Sequence, residues 1–164
     1  MSEKMKVLAV DDDPDVLDIL RSDIAELGYE ILTAKHGKEA LELIKETPVS
    51  IVVSDLNMPH MTGIQLLRAL RQNRFQHPFI VLSGFGTRDE AVELLRLGAY
   101  NFLNKPVAFE ELKTTLAEAA KYVHILDKAK DEVKLSLGVG DKEINGQLEE
   151  AVYALARMKA IRRR

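Results

Sequence analysis

Short apolar runs alternate along the first 110 residues with longer stretches whose apolar positions recur every three or four residues. The short runs predict strands, and the 3-4 spacing predicts helices. The predicted strands lie at 6–10, 29–34, 51–54, 79–82 and 101–103, and the predicted helices at 14–27, 38–46, 62–70, 89–97 and from 109 onward. Five strands alternating with five helices indicate an α/β fold, a parallel sheet covered on both faces.

The helical spacing does not stop where the last helix of such a domain would end. It continues without a break from Phe109 to Leu137, so we predict a long fifth helix with a narrow apolar seam. The segment 138–141, Gly-Val-Gly-Asp, should end that helix, and a second amphipathic stretch follows from Ile144 to Met158. This pair predicts a helical hairpin with too little apolar surface to stand alone. It must therefore pack on the main domain or on a second copy.

The length of 164 residues fits one domain with a modest appendage, and we predict a domain at 4–121 and a helical extension at 122–164. The chain has no cysteine, which excludes disulfides, thiolate metal sites and a cysteine nucleophile. We find neither a signal-peptide pattern at the N-terminus nor an apolar run of about 20 residues. We therefore expect a cytoplasmic protein without membrane insertion.

The net charge of −3 is divided unevenly between these two parts. Residues 1–121 carry 14 basic and 19 acidic side chains, whereas residues 122–164 carry 9 basic and 7 acidic ones. The acidic part is a poor surface for nucleic acid. The basic end, from Arg157 to Arg164, is more typical of a solvated terminus than of a nucleic-acid site. We expect His124, on the long helix, to be a surface residue.

Charged residues follow three of the predicted strands. Asp11 and Asp12 follow the first strand, Asp55 the third and Lys105 the fifth. In an open parallel sheet these positions meet at the C-terminal edge, where such folds bind ligands. Clustered carboxylates beside a cation suit a hard divalent metal and a phosphoryl group. Asp55 ends an apolar strand and can act as a nucleophile toward phosphorus, forming an acyl phosphate.

Smaller signals at the same edge fit this chemistry. The Ser83 hydroxyl, at the end of the fourth strand, can donate to a phosphoryl oxygen, and Gly84 would leave room for the phosphate. Lys105 can pair with Asp55 or with a phosphate, and its bond to Pro106 is a candidate cis peptide. Asp13 and Asp15 are expected to cap the first helix and to complement its dipole.

In order and spacing these residues resemble the receiver domains of two-component response regulators, the CheY-like family. The resemblance covers residues 4–121. Its motifs are Asp11-Asp12, Ser54-Asp55-Leu-Asn57-Met58-Pro59-x-x-x-Gly63, Leu82-Ser83-Gly84, Leu97-Gly98-Ala99 and Lys105-Pro106. It implies a flavodoxin-like (βα)5 sheet of strand order 2-1-3-4-5, followed here by the C-terminal helical extension.

The resemblance also implies roles for the site residues. Asp55 would be the phosphoacceptor, and Ser83 and Lys105 would bind the phosphoryl group. Mg²⁺ (or Mn²⁺) would be held directly by Asp12, through water by Asp11, and also by Asp55 and the backbone carbonyl of Asn57. The donor would be a phosphohistidine of a sensor histidine kinase or phosphotransfer protein, or a small acyl phosphate. Such a protein is not an enzyme beyond its own Mg-dependent phosphotransfer and autodephosphorylation.

A switch in partner binding or dimerisation is the expected output of that phosphorylation. Ser83 would move toward the phosphate, and Phe102 stands where the family carries an aromatic switch residue. The alternative, that Phe102 is only an aromatic residue of the core, remains open. We expect the Phe109–Leu137 seam to join two copies or to transmit the switch to the extension. Phe85, bulky beside the site, is expected to slow attack by water on the acyl phosphate.

Three alternatives remain at this stage. Haloacid-dehalogenase phosphatases share the Asp nucleophile, Mg²⁺ and lysine, but they carry a second aspartate as general acid where this chain has Asn57. A scaffold that is never phosphorylated would usually have lost one of the site residues. Finally, the chain could be the N-terminal receiver of a longer regulator whose output domain is missing from this sequence.

Overall fold

The computed structural model describes residues 3–84 and 86–162, and its elements follow the predicted alternation. In chain order they are β1 (Lys6–Val10), α1 (Pro14–Glu26), β2 (Glu30–Ala34), α2 (Gly37–Glu46), β3 (Ile51–Asp55), α3 (Gly63–Gln72), β4 (Phe79–Ser83), α4 (Arg88–Arg96), β5 (Asn101–Asn104), α5 (Phe109–Leu137) and α6 (Gly146–Ile161). A short 3₁₀ turn, Asp141–Glu143, lies between α5 and α6.

The five strands form one parallel sheet of order β2-β1-β3-β4-β5, which confirms the predicted fold. β1 lies between β2 and β3, so Val7 is paired with both Ile31 and Ile51. At the C-terminal edge, Asp55 pairs with Leu82 in the next strand. The chain therefore leaves β1, β3 and β4 at the same edge of the sheet.

The central strands are almost wholly removed from solvent. The apolar side chains of β1 from Val7 to Val10, and those of β3 from Ile51 to Val53, are 0% exposed. Strands covered on both faces lose the inside-outside alternation of a half-exposed sheet. This burial explains why β1, β3 and β4 are continuous apolar runs in the sequence.

Each of the first four helices begins at a capping side chain in the loop that follows a strand. Asp13 caps α1, His36 caps α2, Thr62 caps α3 and Thr87 caps α4, and each side chain accepts a backbone N–H from the first turn of its helix. The predicted cap at Asp13 is confirmed by the bond from the N–H of Asp15, at 2.9 Å. The result is a set of loops gathered along one edge of the sheet.

One arginine ties the C-terminal end of α3 to that of α4. The Arg71 guanidinium donates to the carbonyl oxygens of Leu97 and Gly98 just after α4, each at 2.9 Å. It also donates to the carbonyls of Phe75 at 2.6 Å and His77 at 3.2 Å, in the loop leading to β4. These four bonds hold three separate segments of backbone together.

The chain divides into two compact units after Ala119, and α5 continues from the first into the second. Within the second unit, α5 and α6 pack through a small apolar cluster whose buried members are Ile125, Leu126, Ala129, Val152 and Ala156. Leu126 belongs to the predicted seam on α5, so at that point α6 covers the seam. Among the helices of the described residues, none is long and apolar enough to cross a membrane.

The connection between α5 and α6 folds back along α5. Asp141, in the connection, pairs with Lys130 (3.4 Å) and with Lys134 of α5. Lys159, near the end of α6, pairs with Glu132, near the end of α5. The connection and the last turns of α6 therefore both contact the segment 130–134 of α5. Both helices predicted for the extension are present.

Candidate functional site

A lysine joins two buried carboxylates at the C-terminal edge of the sheet. Lys105 Nζ lies 2.6 Å from Asp11 Oδ2 and 3.1 Å from Asp55 Oδ1. The Asp11 side chain is only 1% exposed and that of Asp55 9% exposed. The sequence predicted a contact of Lys105 with Asp55 or a phosphate, but the shorter contact is with Asp11. The peptide bond between Lys105 and Pro106 is cis, as the sequence suggested.

The remaining hydrogen bonds of the two carboxylates come from the backbone. Asp11 Oδ1 accepts the N–H of Asp13 and Asp55 Oδ1 accepts the N–H of Leu56, both at 2.9 Å. Each group is held by a lysine and by the turn that follows its own strand. Such bonds fix the orientation of a buried carboxylate, which would otherwise be costly to remove from water.

Burial and charge act in opposite directions on these groups. Burial raises the pKa of the Asp55 carboxyl; the hydrogen bond from Lys105 opposes that rise, and the nearby charge of Asp11 adds to it. Burial by itself would lower the pKa of Lys105, but the hydrogen bonds and charges of Asp11 and Asp55 outweigh it, so that pKa is raised. The Lys105 ammonium therefore stays charged at neutral pH. Burial makes the ionised form of the Asp55 carboxyl less favourable than it is in water.

Asp12 completes a set of three carboxylates. Ligand oxygens of Asp11, Asp12 and Asp55 all lie within 4.8 Å of one another. Asp11 is already engaged by Lys105 and by the Asp13 N–H, whereas Asp12 is exposed. Three carboxylate oxygens at this separation fit a hard divalent cation such as Mg²⁺. The donor set therefore fits the predicted metal.

The start of α3 is packed directly against the backbone of Asp55. A methyl group added at Gly63 would come within 2.5 Å of the Asp55 carbonyl oxygen and 3.0 Å of Leu56 Cα. The N–H of Gly63 donates to the carbonyl of Leu56 at 2.8 Å. Only a residue without a side chain allows this approach. The loop after β3 therefore returns closely to the backbone of Asp55 and Leu56.

Residues 7–117 match the family model of the response regulator receiver domain. The chain belongs to this family. The chain is 32% identical over 125 residues to the transcriptional regulatory protein ZraR of Escherichia coli O157:H7. It spans only 28% of the length of ZraR, so in this relative the matching region is one part of a longer protein.

Two further relatives show the range of proteins that carry such a receiver. The chain is 34% identical over 122 residues to the sensor histidine kinase RcsC of Salmonella typhi, 74% of this chain but 13% of RcsC. Its fold is similar to that of the chemotaxis protein CheY4 of Vibrio cholerae, with a TM-score of 0.67 and 32% identity, covering 71% of this chain and 99% of CheY4. Receivers of this family serve two-component signalling, and they are generally signalling domains and not enzymes.

The serine expected to bind phosphate lies at the end of β4 in this receiver, and the Ser83 carbonyl accepts the N–H of Lys105 at 3.0 Å. Apart from its two chain neighbours, no atom lies within 4 Å of a methyl group placed on Gly84, so the space beside this glycine is open. A methyl group on Gly86 would come within 3.2 Å of Ser83 Oγ, so Gly86 also lies beside the serine hydroxyl.

The remaining predicted residues fall at different distances from this centre. Phe102 is half-buried on β5 and packs against the main apolar core. Asn57 lies two residues after the end of β3 and is exposed. His124 is exposed on α5, as expected. Phe85 lies outside the described residues. The sequence analysis did not predict the Asp11–Lys105 pair or the close approaches of Gly63 and Gly86. For Gly86, the signal available in the sequence was a second glycine shortly after Ser83.

Proposed function

We propose that the chain accepts a phosphoryl group on Asp55 from a phosphohistidine of a sensor histidine kinase or phosphotransfer protein, or from a small acyl phosphate. The proposed receiver comprises residues 4–121. The observation that carries the proposal is the buried Asp55 carboxylate, linked through Lys105 to Asp11 and lying beside the exposed Asp12. If Lys105 only formed a structural ion pair with Asp11 and Asp55, the third carboxylate, Asp12, would not be needed at this edge of the sheet.

In the proposed transfer, an oxygen of Asp55 forms a bond to phosphorus while the bond from phosphorus to the donor nitrogen breaks. The electron pair of the broken bond remains on the donor imidazole. Lys105, held charged by the two carboxylates, lies where it can offset negative charge on the phosphoryl oxygens. The Ser83 hydroxyl would donate to one of these oxygens. Hydrolysis of the acyl phosphate would return Asp55 to its carboxylate.

Asp12, Asp11, Asp55 and the backbone carbonyl of Asn57 would hold the divalent cation. Bound Mg²⁺ or Mn²⁺ supplies positive charge that reduces the repulsion between carboxylates and phosphoryl group. Asp12 is the residue with room for direct contact, because both oxygens of Asp11 already have donors.

Phosphorylation would switch the affinity of a surface for a partner or a second copy. Ser83 would move toward the phosphate and Phe102 inward, and α4, β5 and the start of α5 would shift with them. The exposed apolar residues Val92 (39% exposed) and Leu95 (63% exposed) on α4 support a role for this face in binding.

Intact-mass measurement after incubation with acetyl phosphate and Mg²⁺ tests the proposal. The parent should gain one phosphoryl group; Asp55→Asn should gain none, and EDTA should block the gain. Asp13→Asn is the matched control, because it also removes a carboxylate at this edge but keeps a capping side chain. No gain with acetyl phosphate or with a histidine kinase, together with no beryllofluoride binding, would refute the proposal. Steady turnover of phosphomonoesters would favour the phosphatase alternative instead.

A further inference from the structure

The helix α6 has two apolar faces. One is buried against α5, with Val152 4% exposed and Ala156 0% exposed. The opposite face carries five exposed residues, four of them apolar and one a glutamine, that we call the α6 stripe: Gln147, Ala151, Ala154, Met158 and Ile161. Met158 is 55% exposed and Ile161 73% exposed. A surface helix needs only one apolar face to pack on its own chain, so the α6 stripe has no role in holding α6 on α5.

The α6 stripe has the spacing of a helix–helix interface. Its members follow one another at intervals of four, three, four and three residues. This is the spacing at which the same face of one helix meets a second helix over several turns. Ala151 and Ala154, at the middle of the α6 stripe, would let two helix backbones approach closely. The larger Met158 and Ile161 lie toward one end.

Charges beside the α6 stripe select the direction of the partner helix. Glu150 and Arg157 are both exposed, lie seven residues apart and flank the α6 stripe on the same side. If two copies of α6 pack antiparallel about Ala151 and Ala154, Glu150 of each copy faces Arg157 of the other. Parallel packing would instead bring Arg157 of one copy to Arg162 of the other, which is repulsive. The antiparallel pair is therefore complementary to itself, as a two-fold interface must be.

We propose that the α6 stripe is the interface of a homodimer in which two copies of α6 pack antiparallel. This surface is distinct from the seam on α5, where Leu126 is covered by α6 within one chain. The proposal does not depend on phosphorylation of Asp55. A dimer of this kind would bring together two receivers whether or not either is phosphorylated.

The size of the interface predicts its strength. A helix of 16 residues is about 24 Å long, so a single pair of helices gives an interface at the small end of specific ones. We therefore expect a concentration-dependent dimer with a dissociation constant on the order of micromolar. Sedimentation of the full chain between about 1 and 500 µM, in the absence of phosphodonor, should show the transition. A monomer over this whole range would overturn the proposal.

Charge exchange tests the predicted pairing. Glu150→Arg and Arg157→Glu, made singly, should each raise the dimer dissociation constant at least about tenfold, because each places two like-charged pairs across the interface. The double variant should recover dimerisation to within about threefold of the parent. Both side chains are exposed, and an unchanged circular dichroism spectrum and unchanged phosphorylation by acetyl phosphate would verify folding. Single variants that dimerise like the parent, or a double variant that does not recover, would refute the pairing.

Cysteine cross-linking tests the direction of the helices, because the chain has no cysteine of its own. In the antiparallel dimer, Ala154→Cys lies close to its counterpart, whereas the two copies of Ile161→Cys would be roughly 25 Å apart. A short bis-thiol reagent should therefore link Ala154→Cys and leave Ile161→Cys and the exposed control Ser136→Cys unlinked. Efficient linking of Ile161→Cys would indicate parallel packing and overturn the proposal, as would linking of Ala154→Cys no better than that of Ser136→Cys.

Discussion

Gly63→Ala and Gly37→Ala make the same change at the first residue of two helices, but the added methyl groups meet different neighbours. At Gly63 the nearest atoms are the Asp55 carbonyl oxygen at 2.5 Å and Leu56 Cα at 3.0 Å. At Gly37 they belong to the side chain of Met61, with Sδ at 2.5 Å and Cγ at 2.7 Å. The first clash is with backbone that positions the phosphoacceptor. The second is with Met61, whose Sδ and Cγ can rotate away but whose Cβ, at 2.9 Å, stays in place.

The distances set the expected cost. Ordinary contact begins near 3.4 Å, so the methyl group on residue 63 requires a backbone shift of roughly 0.9 Å. Overpacking of this kind costs about 1–3 kcal/mol, while replacing glycine in a helix returns up to about 1 kcal/mol. We expect Gly63→Ala to lower the free energy of unfolding by roughly 1–2 kcal/mol. Gly37→Ala should lower it by less, roughly 0.5–1 kcal/mol, because rotation moves Met61 Sδ and Cγ away and leaves only the contact with Cβ at 2.9 Å to be relieved.

Urea unfolding followed by circular dichroism measures both variants against the parent. The initial rate of phosphorylation by acetyl phosphate provides the second measurement. A displacement approaching 1 Å at a reacting group can reduce a rate by about a hundredfold, so Gly63→Ala should be slowed at least about tenfold and Gly37→Ala hardly at all. Equal stability of the two variants, combined with a parental rate for Gly63→Ala, would refute the argument that α3 holds the Asp55 loop.

Three other predictions concern buried polar groups. Lys105→Met should lower the free energy of unfolding by about 3 kcal/mol in metal-free buffer, because Asp11 and Asp55 lose their cation; an unchanged urea midpoint would contradict this. Asp55→Asn should stabilise the metal-free protein at pH 7. Burial raises the Asp55 pKa above its unfolded value, so the folded state loses stability as pH rises through that pKa, and the gain should shrink toward about pH 4. A gain independent of pH would point to another cause. Arg71→Met should cost about 2–3 kcal/mol, since its four carbonyl acceptors lose their donors, whereas the exposed Arg21→Met should cost less than about 0.5 kcal/mol. Similar urea midpoints for these two variants would count against the bracing role of Arg71.

The order of elements, the sheet type and the edge at which the site lies can be predicted from the amino-acid sequence. They follow from local patterns: apolar runs form buried strands, 3-4 spacing forms helices, and capping residues mark the starts of α1 to α4. Once the strands are parallel, Asp11, Asp12, Asp55 and Lys105 must gather at one edge, whatever the details of packing. The charged site could therefore be predicted from three short segments.

How these groups pair depends on the packing of the whole fold. Lys105 and Asp11 are 94 residues apart, and their contact depends on the stagger of the strands and on side-chain rotamers, which no local pattern specifies. The same holds for Gly86 beside the Ser83 hydroxyl and for Arg71 joining three backbone segments. In the extension, helical periodicity predicted both helices but not the contacts between them. The pairs of Lys159 with Glu132 and of Asp141 with Lys134 depend on how the connection folds back on α5, which no local pattern specifies.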